Sequence, residues 1–264
     1  MIPQQPNDCP RRTPFRAVLA WLAVAILAAG ITACEQDRRP RRQPDQAIGT
    51  APYQSDVDEG LGAAVAILVD TSGSMDEQAP GDARPKSIVA REALEAMLDA
   101  TDALIARRPD FAVKVGLYSF SSSTATILPI QHYDRAVVHD ALTRLPRPGG
   151  GTAIGEAMRA ARPDLYRAGV FRKYLLVVTD GENTSGRSPD AVAREIFRKS
   201  EGGVQIYFVA FDTSAERFDF LKDVGGDVIA AGTGAELRGA LDEIYQGRIL
   251  AELDGIGERE AAER

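Results

Sequence analysis

Asp70, Ser72 and Ser74 alternate along the stretch ILVDTSGSMD, directly after the apolar run Ile67-Leu68-Val69. A carboxylate and two hydroxyls at every second position put three short oxygen donors close together where a strand ends. Two further polar clusters have the same chemistry: Gly149-Gly150-Gly151-Thr152 and Thr179-Asp180-Gly181-Glu182. None of the three contains a thiol or an imidazole. Such an oxygen-only set suits a hard divalent cation, and Mg2+ in particular takes six oxygens in near-octahedral order and keeps some waters. Glycine in all three clusters lets the backbone turn tightly and bring short side chains together.

Each cluster also has a plainer reading. Asp and Ser are common helix caps and turn formers, so Asp70, Ser72 and Ser74 alone are equally compatible with a strand end and a capping turn. Only the addition of Thr152 and Asp180 tips the balance towards a site. The glycine run at 149–151 lacks the following Lys-Ser or Lys-Thr of a phosphate-cradling loop. His132 and His139 have no Cys or carboxylate at metal-ligand spacing and read as surface or helix residues. Glu182 reads as a solvated loop residue that could tune charge near Asp180.

The elements that must position these residues follow from periodicity. Residues 62–69 form a continuous apolar run of strand length. The spacing predicts a helix over 86–107, a strand over 111–120 and its hairpin partner over 123–130. A short helix is expected at 134–145, another at 153–168 with Pro163 as a kink, and a buried strand at 174–179. Ser188 and Pro189 read as the cap and first residue of a helix running to 199. A strand at 204–211, a helix at 215–224, a short strand at 227–230 and a helix at 234–251 complete the pattern. Strand–helix alternation with continuous apolar strands predicts an α/β fold: a doubly wound, Rossmann-like, mainly parallel six-stranded sheet, helices on both faces and one antiparallel edge strand. Ligands of such sheets bind at the carboxyl ends of the strands, where strand order reverses.

On that framework Asp70-x-Ser72-x-Ser74, Thr152 and Asp180 resemble the metal-ion-dependent adhesion site (MIDAS) of von Willebrand factor type A (vWA) domains. The resemblance covers about residues 60–250, and all five positions are filled in order. It implies that Ser72, Ser74 and Thr152 supply hydroxyl oxygens, and that Asp70 and Asp180 act through water or directly. Mg2+ is the expected ion, with Mn2+ or Ca2+ as alternatives. One coordination position would be completed by an acidic residue of a partner protein. Ala153 stands where some members carry Asp, and the polar segment 76–86 is expected to overhang the site.

The chain has 264 residues, and its formal net charge of −7 disfavours nucleic-acid binding. Its two cysteines, Cys9 and Cys34, both lie early, so no disulfide framework is expected across the rest. Arg11, Arg12 and Arg16 precede an uncharged stretch at 17–33, which ends in Ile31-Thr32-Ala33-Cys34 and resembles a lipoprotein leader. Residues 1–33 are then a signal peptide and Cys34 a lipid anchor. An uncleaved anchor or a plain signal peptide stays open, and Arg38, Arg39, Arg41 and Arg42 just beyond Cys34 work against export. Residues 34–60 read as a flexible tether, 61–251 as the vWA domain and 252–264 as a charged tail.

The expected function is a membrane-tethered, metal-dependent protein-binding module on the extracytoplasmic side of a bacterial membrane. Two alternatives are a module whose metal is purely structural and a metal-assisted hydrolase. Against the enzyme, the sequence offers no general base with an orienting partner and no GxSxG elbow.

Overall fold

The structure is a computed structural model that describes residues 60–109 and 111–250. The expected leader, Cys34, most of the tether and all of the tail lie outside the described residues. Among the described residues, no helix is long and apolar enough to cross a membrane.

Six strands form one sheet. In chain order they are β1 (Gly60–Asp70), β2 (Ala112–Phe120), β3 (Thr124–His132), β4 (Val170–Thr179), β5 (Val204–Phe211) and β6 (Asp227–Ala231). Their spatial order is β3-β2-β1-β4-β5-β6. All neighbours pair in parallel except β2 and β3, the expected hairpin. Pro129 lies in β3, at the edge of the sheet, where the missing N–H of a proline is tolerated.

Strand periodicity sorts the apolar side chains onto two faces. From β1, Ala63, Val65, Ile67 and Val69 join one core. Ala64, Ala66 and Leu68 join the other. The first core is covered by α1 (Lys86–Arg107), α2 (Arg135–Thr143) and α5 (Gly234–Ile244). The second is covered by α3 (Ile154–Tyr166), α4 (Pro189–Lys199) and the segment Ala215–Val224. Burial on both faces explains why the central strands read as continuous apolar runs rather than as alternation.

Several expectations need correction. The strand placed at 174–179 begins at Val170, because the exposed Phe171 and the basic Arg172 and Lys173 hid its start. The expected helix at 215–224 is 3-10 in character; Phe218 has non-helical dihedrals (φ −115°), and the segment ends on left-handed Gly225. The final helix is α-helical only to Ile244 and widens to a π-helix over Tyr245–Leu250. Two tertiary ties act there: Tyr245 Oη lies 2.6 Å from Thr101 Oγ1, and Arg248 pairs with Asp227. Pro163 sits in the last turn of α3 without ending it, since the N–H it lacks removes a single helical bond there. Ser188 precedes Pro189 as expected but makes no side-chain cap bond.

Candidate functional site

The chain winds outward from β1 to β2 and β3, then returns to lay β4 on the other side of β1. Strand order therefore reverses between β1 and β4, and the carboxyl ends of these strands carry Asp70 and Thr179-Asp180. Tight parallel registers on both sides fix those ends: Asp70 faces Phe120 across β2, and Val69 faces Val178 across β4.

Asp70 is fully buried. Its Oδ1 accepts from Ser72 N at 2.8 Å and its Oδ2 from Thr179 Oγ1 at 2.6 Å. Burial pushes the Asp70 carboxyl up to about 6, against the lowering effect of the hydrogen bonds from Thr179 and Ser72, and the charge of Asp180 adds to the rise. Thr71 secures the turn, donating from both N (2.8 Å) and Oγ1 (3.0 Å) to Phe120 O.

Ser72 makes no side-chain cap bond to the 3-10 turn Gly73–Asp76 that follows, so the plain capping reading does not describe it. Its Oγ lies 3.1 Å from Ser74 Oγ, and Ser74 Oγ donates to Asp180 Oδ1 at 2.8 Å. Adjacent oxygens of an octahedral shell with bonds of about 2.1 Å stand about 3.0 Å apart. The spacing of these three oxygens is therefore that of neighbouring ligands. Among the described residues, no three His, Cys, Asp or Glu side chains gather as a metal cluster. A cation here would depend on hydroxyls as much as on carboxylates, which suits a hard ion.

Thr152 is brought in through its backbone. Its N–H donates to Thr184 Oγ1 at 2.8 Å, and its carbonyl accepts from Thr184 N and Ser185 N at 2.8 and 3.2 Å. Its loop is bonded to the Asp70 turn by Gly73 N to Gly150 O (3.0 Å) and Gly149 N to Thr71 O (2.8 Å). Gly150 has φ +79°, and a Cβ there would stand 2.7 Å from Ser122 Oγ. Gly155 in the first turn of α3 has Arg187 O where a Cβ would be, at 2.2 Å. Glycine at these positions lets the Thr152 loop lie between the β2–β3 turn and the loop after β4. Ala153 follows Thr152 as a buried residue.

Four of the five expected residues, Asp70, Ser72, Ser74 and Asp180, are thus joined by a chain of side-chain and backbone hydrogen bonds, and Thr152 sits on a loop tied to both ends of it. Glu182 is largely exposed, as expected, and pairs with Arg217 at 2.6 Å. His132 and His139 are exposed at the end of β3 and on α2. In the 76–86 segment, Gln78 bridges to Pro85 and Ala79 is buried, so it is more ordered than a polar overhang.

Sequence reading missed Lys86, the first residue of α1. Its Nζ lies 3.1 Å from Asp180 Oδ2, 2.8 Å from Asp212 Oδ2 and 3.2 Å from Glu77 Oε2. Burial pulls the ammonium pKa down, but the bonds to Asp212, Asp180 and Glu77 outweigh it and hold Lys86 above the ordinary lysine range. A local signal existed: a lysine opening a helix opposes the helix dipole, and no acidic residue in that first turn offsets it.

The sequence profile of the von Willebrand factor type A domain matches residues 64–230. No curated protein sequence matches the chain. Among solved structures, the PilB minor pilin from Streptococcus sanguinis is similar with a TM-score of 0.58 and 17% identity, over 75% of this chain and 63% of that one. The chain thus spans less than two thirds of the pilin's length. BatB from Bacteroides thetaiotaomicron aligns with a TM-score of 0.55 and 21% identity, over 74% of this chain and all of that one. Proximal thread matrix protein 1 of the mussel byssus, whose MIDAS motif is occupied by zinc in that structure, gives 0.53 and 18% over 72% of this chain and 46% of that one. At these identities the structures share the fold, and with a profile match over more than half of its length, the chain belongs to the von Willebrand factor type A domain family.

Proposed function

We propose that the chain is a divalent-metal-dependent protein-binding module. Asp70, Ser72, Ser74, Thr152 and Asp180 hold the ion, and an acidic residue of a partner protein completes its coordination. The observation that carries this reading is the run of oxygens Ser72 Oγ, Ser74 Oγ and Asp180 Oδ1, spaced at 3.1 and 2.8 Å at the switch point of the sheet. Mg2+ is the ion that such hard, mixed hydroxyl–carboxylate donors favour, with Mn2+ or Ca2+ able to substitute. When bound, the ion supplies a Lewis-acidic position for an anionic group. The chain's own residues fix its place: Thr179 and Ser72 N orient Asp70, and the 149–152 loop carries Thr152 towards it.

The reading is of a binding module rather than an enzyme: the hydroxyl of Ser74 meets the carboxylate of Asp180, but that oxygen is assigned here to the ion, and among the described residues neither histidine lies among the site's hydrogen-bonded groups. It extends to a lipid anchor at Cys34 after removal of residues 1–33, a tether over 34–60 and an extracytoplasmic location at a bacterial membrane. The leader-like pattern of residues 11–34 supports that part.

The test is co-purification of tagged full chain from native membranes, washed in Mg2+ or in EDTA, beside Asp180→Ala. A partner retained only in Mg2+, and lost in Asp180→Ala with an unchanged circular dichroism spectrum, is the expected result. A partner held equally in EDTA and by Asp180→Ala would end the metal-bridged reading.

A further inference from the structure

Lys86 stands behind the proposed metal site with its charge enclosed. Its side chain is 5% exposed, and the ammonium has three donors. Each finds a carboxylate, but the three are unequal. Asp180 has a side-chain exposure of 0%, Asp212 of 36% and Glu77 of 69%. Solvent screens the outer two, so the pairing with Asp180 is the strongest electrostatically. The two oxygens of Asp180 are divided: Oδ1 faces Ser74, on the side of the oxygen set, and Oδ2 faces Lys86.

We propose that Lys86 is a built-in counter-cation of the metal site. Its fixed charge neutralises part of Asp180, keeps Asp180 single-oxygen towards the cation, and lowers the affinity of the site for a divalent ion. An ion bound there keeps more of its own charge uncompensated, which favours an added anionic group such as a partner's carboxylate. This rests on the assignment of Asp180 as a metal-holding residue. It goes further, because a role confined to packing α1 against the end of β4 would not require any particular sign of effect on metal affinity.

The experiment is calorimetric titration of the full chain, stripped with chelator, using Mg2+ and Mn2+ alone, on wild type, Lys86→Gln, Lys86→Arg and Asp212→Asn. Removing the charge should tighten binding about tenfold or more in Lys86→Gln. Lys86→Arg, which keeps the charge, should stay within about threefold of wild type. Asp212→Asn, which removes a carboxylate that shares the ammonium, should weaken binding. A tightening in one variant and a weakening in the other is the signature of charge. If Lys86→Gln binds no tighter than wild type, or if all three variants weaken together, Lys86 only holds the loops and the proposal fails. If Lys86→Gln does not fold by circular dichroism, the double variant Lys86→Gln/Asp212→Asn decides: tighter binding than Asp212→Asn alone supports the counter-cation, and binding no tighter overturns it. Absence of binding heat in every protein would instead sink the metal assignment itself, and the counter-cation with it.

Discussion

At the scale of single residues, the candidate site contains groups that also hold the fold and groups whose only tie is to one another. Asp70 has no exposure and both its oxygens are engaged, so its replacement disturbs the strand end. Ser74 is half-buried and links only Ser72 to Asp180. Ser74→Ala should therefore change stability by no more than about 1 kcal/mol, while reducing Mg2+ affinity at least tenfold. Thermal unfolding beside calorimetric titration checks the pair of outcomes, and an unchanged affinity would remove Ser74 from the donor set. The clustering of Asp70, Ser72, Ser74 and Asp180 was legible because their spacing and oxygen-only chemistry are local properties of the chain. Lys86 was legible only as a lysine that opens a helix against its dipole; its pairing was not, since Asp180 and Asp212 lie 94 or more positions away and meet it only once β4 and β5 are in place. Thr179 was legible as a strand-end polar residue, but its bond to Asp70 is again a product of the sheet.

Elements keep these residues in register, and the α3–α4 face shows how. Arg162 of α3 is 6% exposed and donates to Glu195 of α4 at 2.7 Å. Lys199 and then Arg162 hold the Glu195 carboxyl down to about 2, against a burial effect that raises it. A carboxyl held below its ordinary 4.5 stabilises the fold above that pH, and the contribution is lost as pH falls towards 2. Allowing for solvent screening of a partly exposed pair, the contribution is about 1–2 kcal/mol. Glu195→Gln should lower stability by about that amount at pH 7, with Arg162 left without its charged partner. The gap to wild type should narrow at pH 3. Denaturant unfolding at the two pH values decides it, and a gap equal at both would show that charge is not involved. Helix and strand placement was legible wherever apolar periodicity was long. Placement held at 215–224 and to 250, but the helix type did not: the first segment is 3-10, and beyond 244 the ties of Tyr245 and Arg248 accompany a π-helix. The start of β4 was hidden for another reason: Phe171, Arg172 and Lys173 are a poor strand signal, and Val170 is placed by its neighbour Gly60.

For the molecule as a whole, the sheet decides where chemistry can occur. Strand order reverses at β1, so the ends of β1 and β4 open a crevice that no neighbouring strand fills, and all the polar clusters singled out in the sequence arrive there. The doubly wound fold was legible in advance because the alternation of strands and helices admits few right-handed, unknotted solutions. The order of strands was not, as it depends on where each crossover lands.

β1 has a consequence that concerns force rather than affinity. It is 11 residues long, begins at Gly60 where the proposed tether would enter, and ends at Asp70. A membrane anchor at one end and a captured partner at the other would pull along a single strand. That strand is gripped on both sides by parallel ladders, β2 and β4. Bonds in parallel ladders are evenly spaced along the strand, so the load is shared in shear instead of opening one bond at a time. Single-molecule pulling with handles at residues 60 and 73 should need a clearly higher force than handles placed to peel β6, which among the described residues has only β5 beside it. Equal forces in the two directions would refute the idea. A higher force along β1 would mean that the strand presenting the first residue of the proposed metal site is also the axis along which the proposed adhesive contact would bear load.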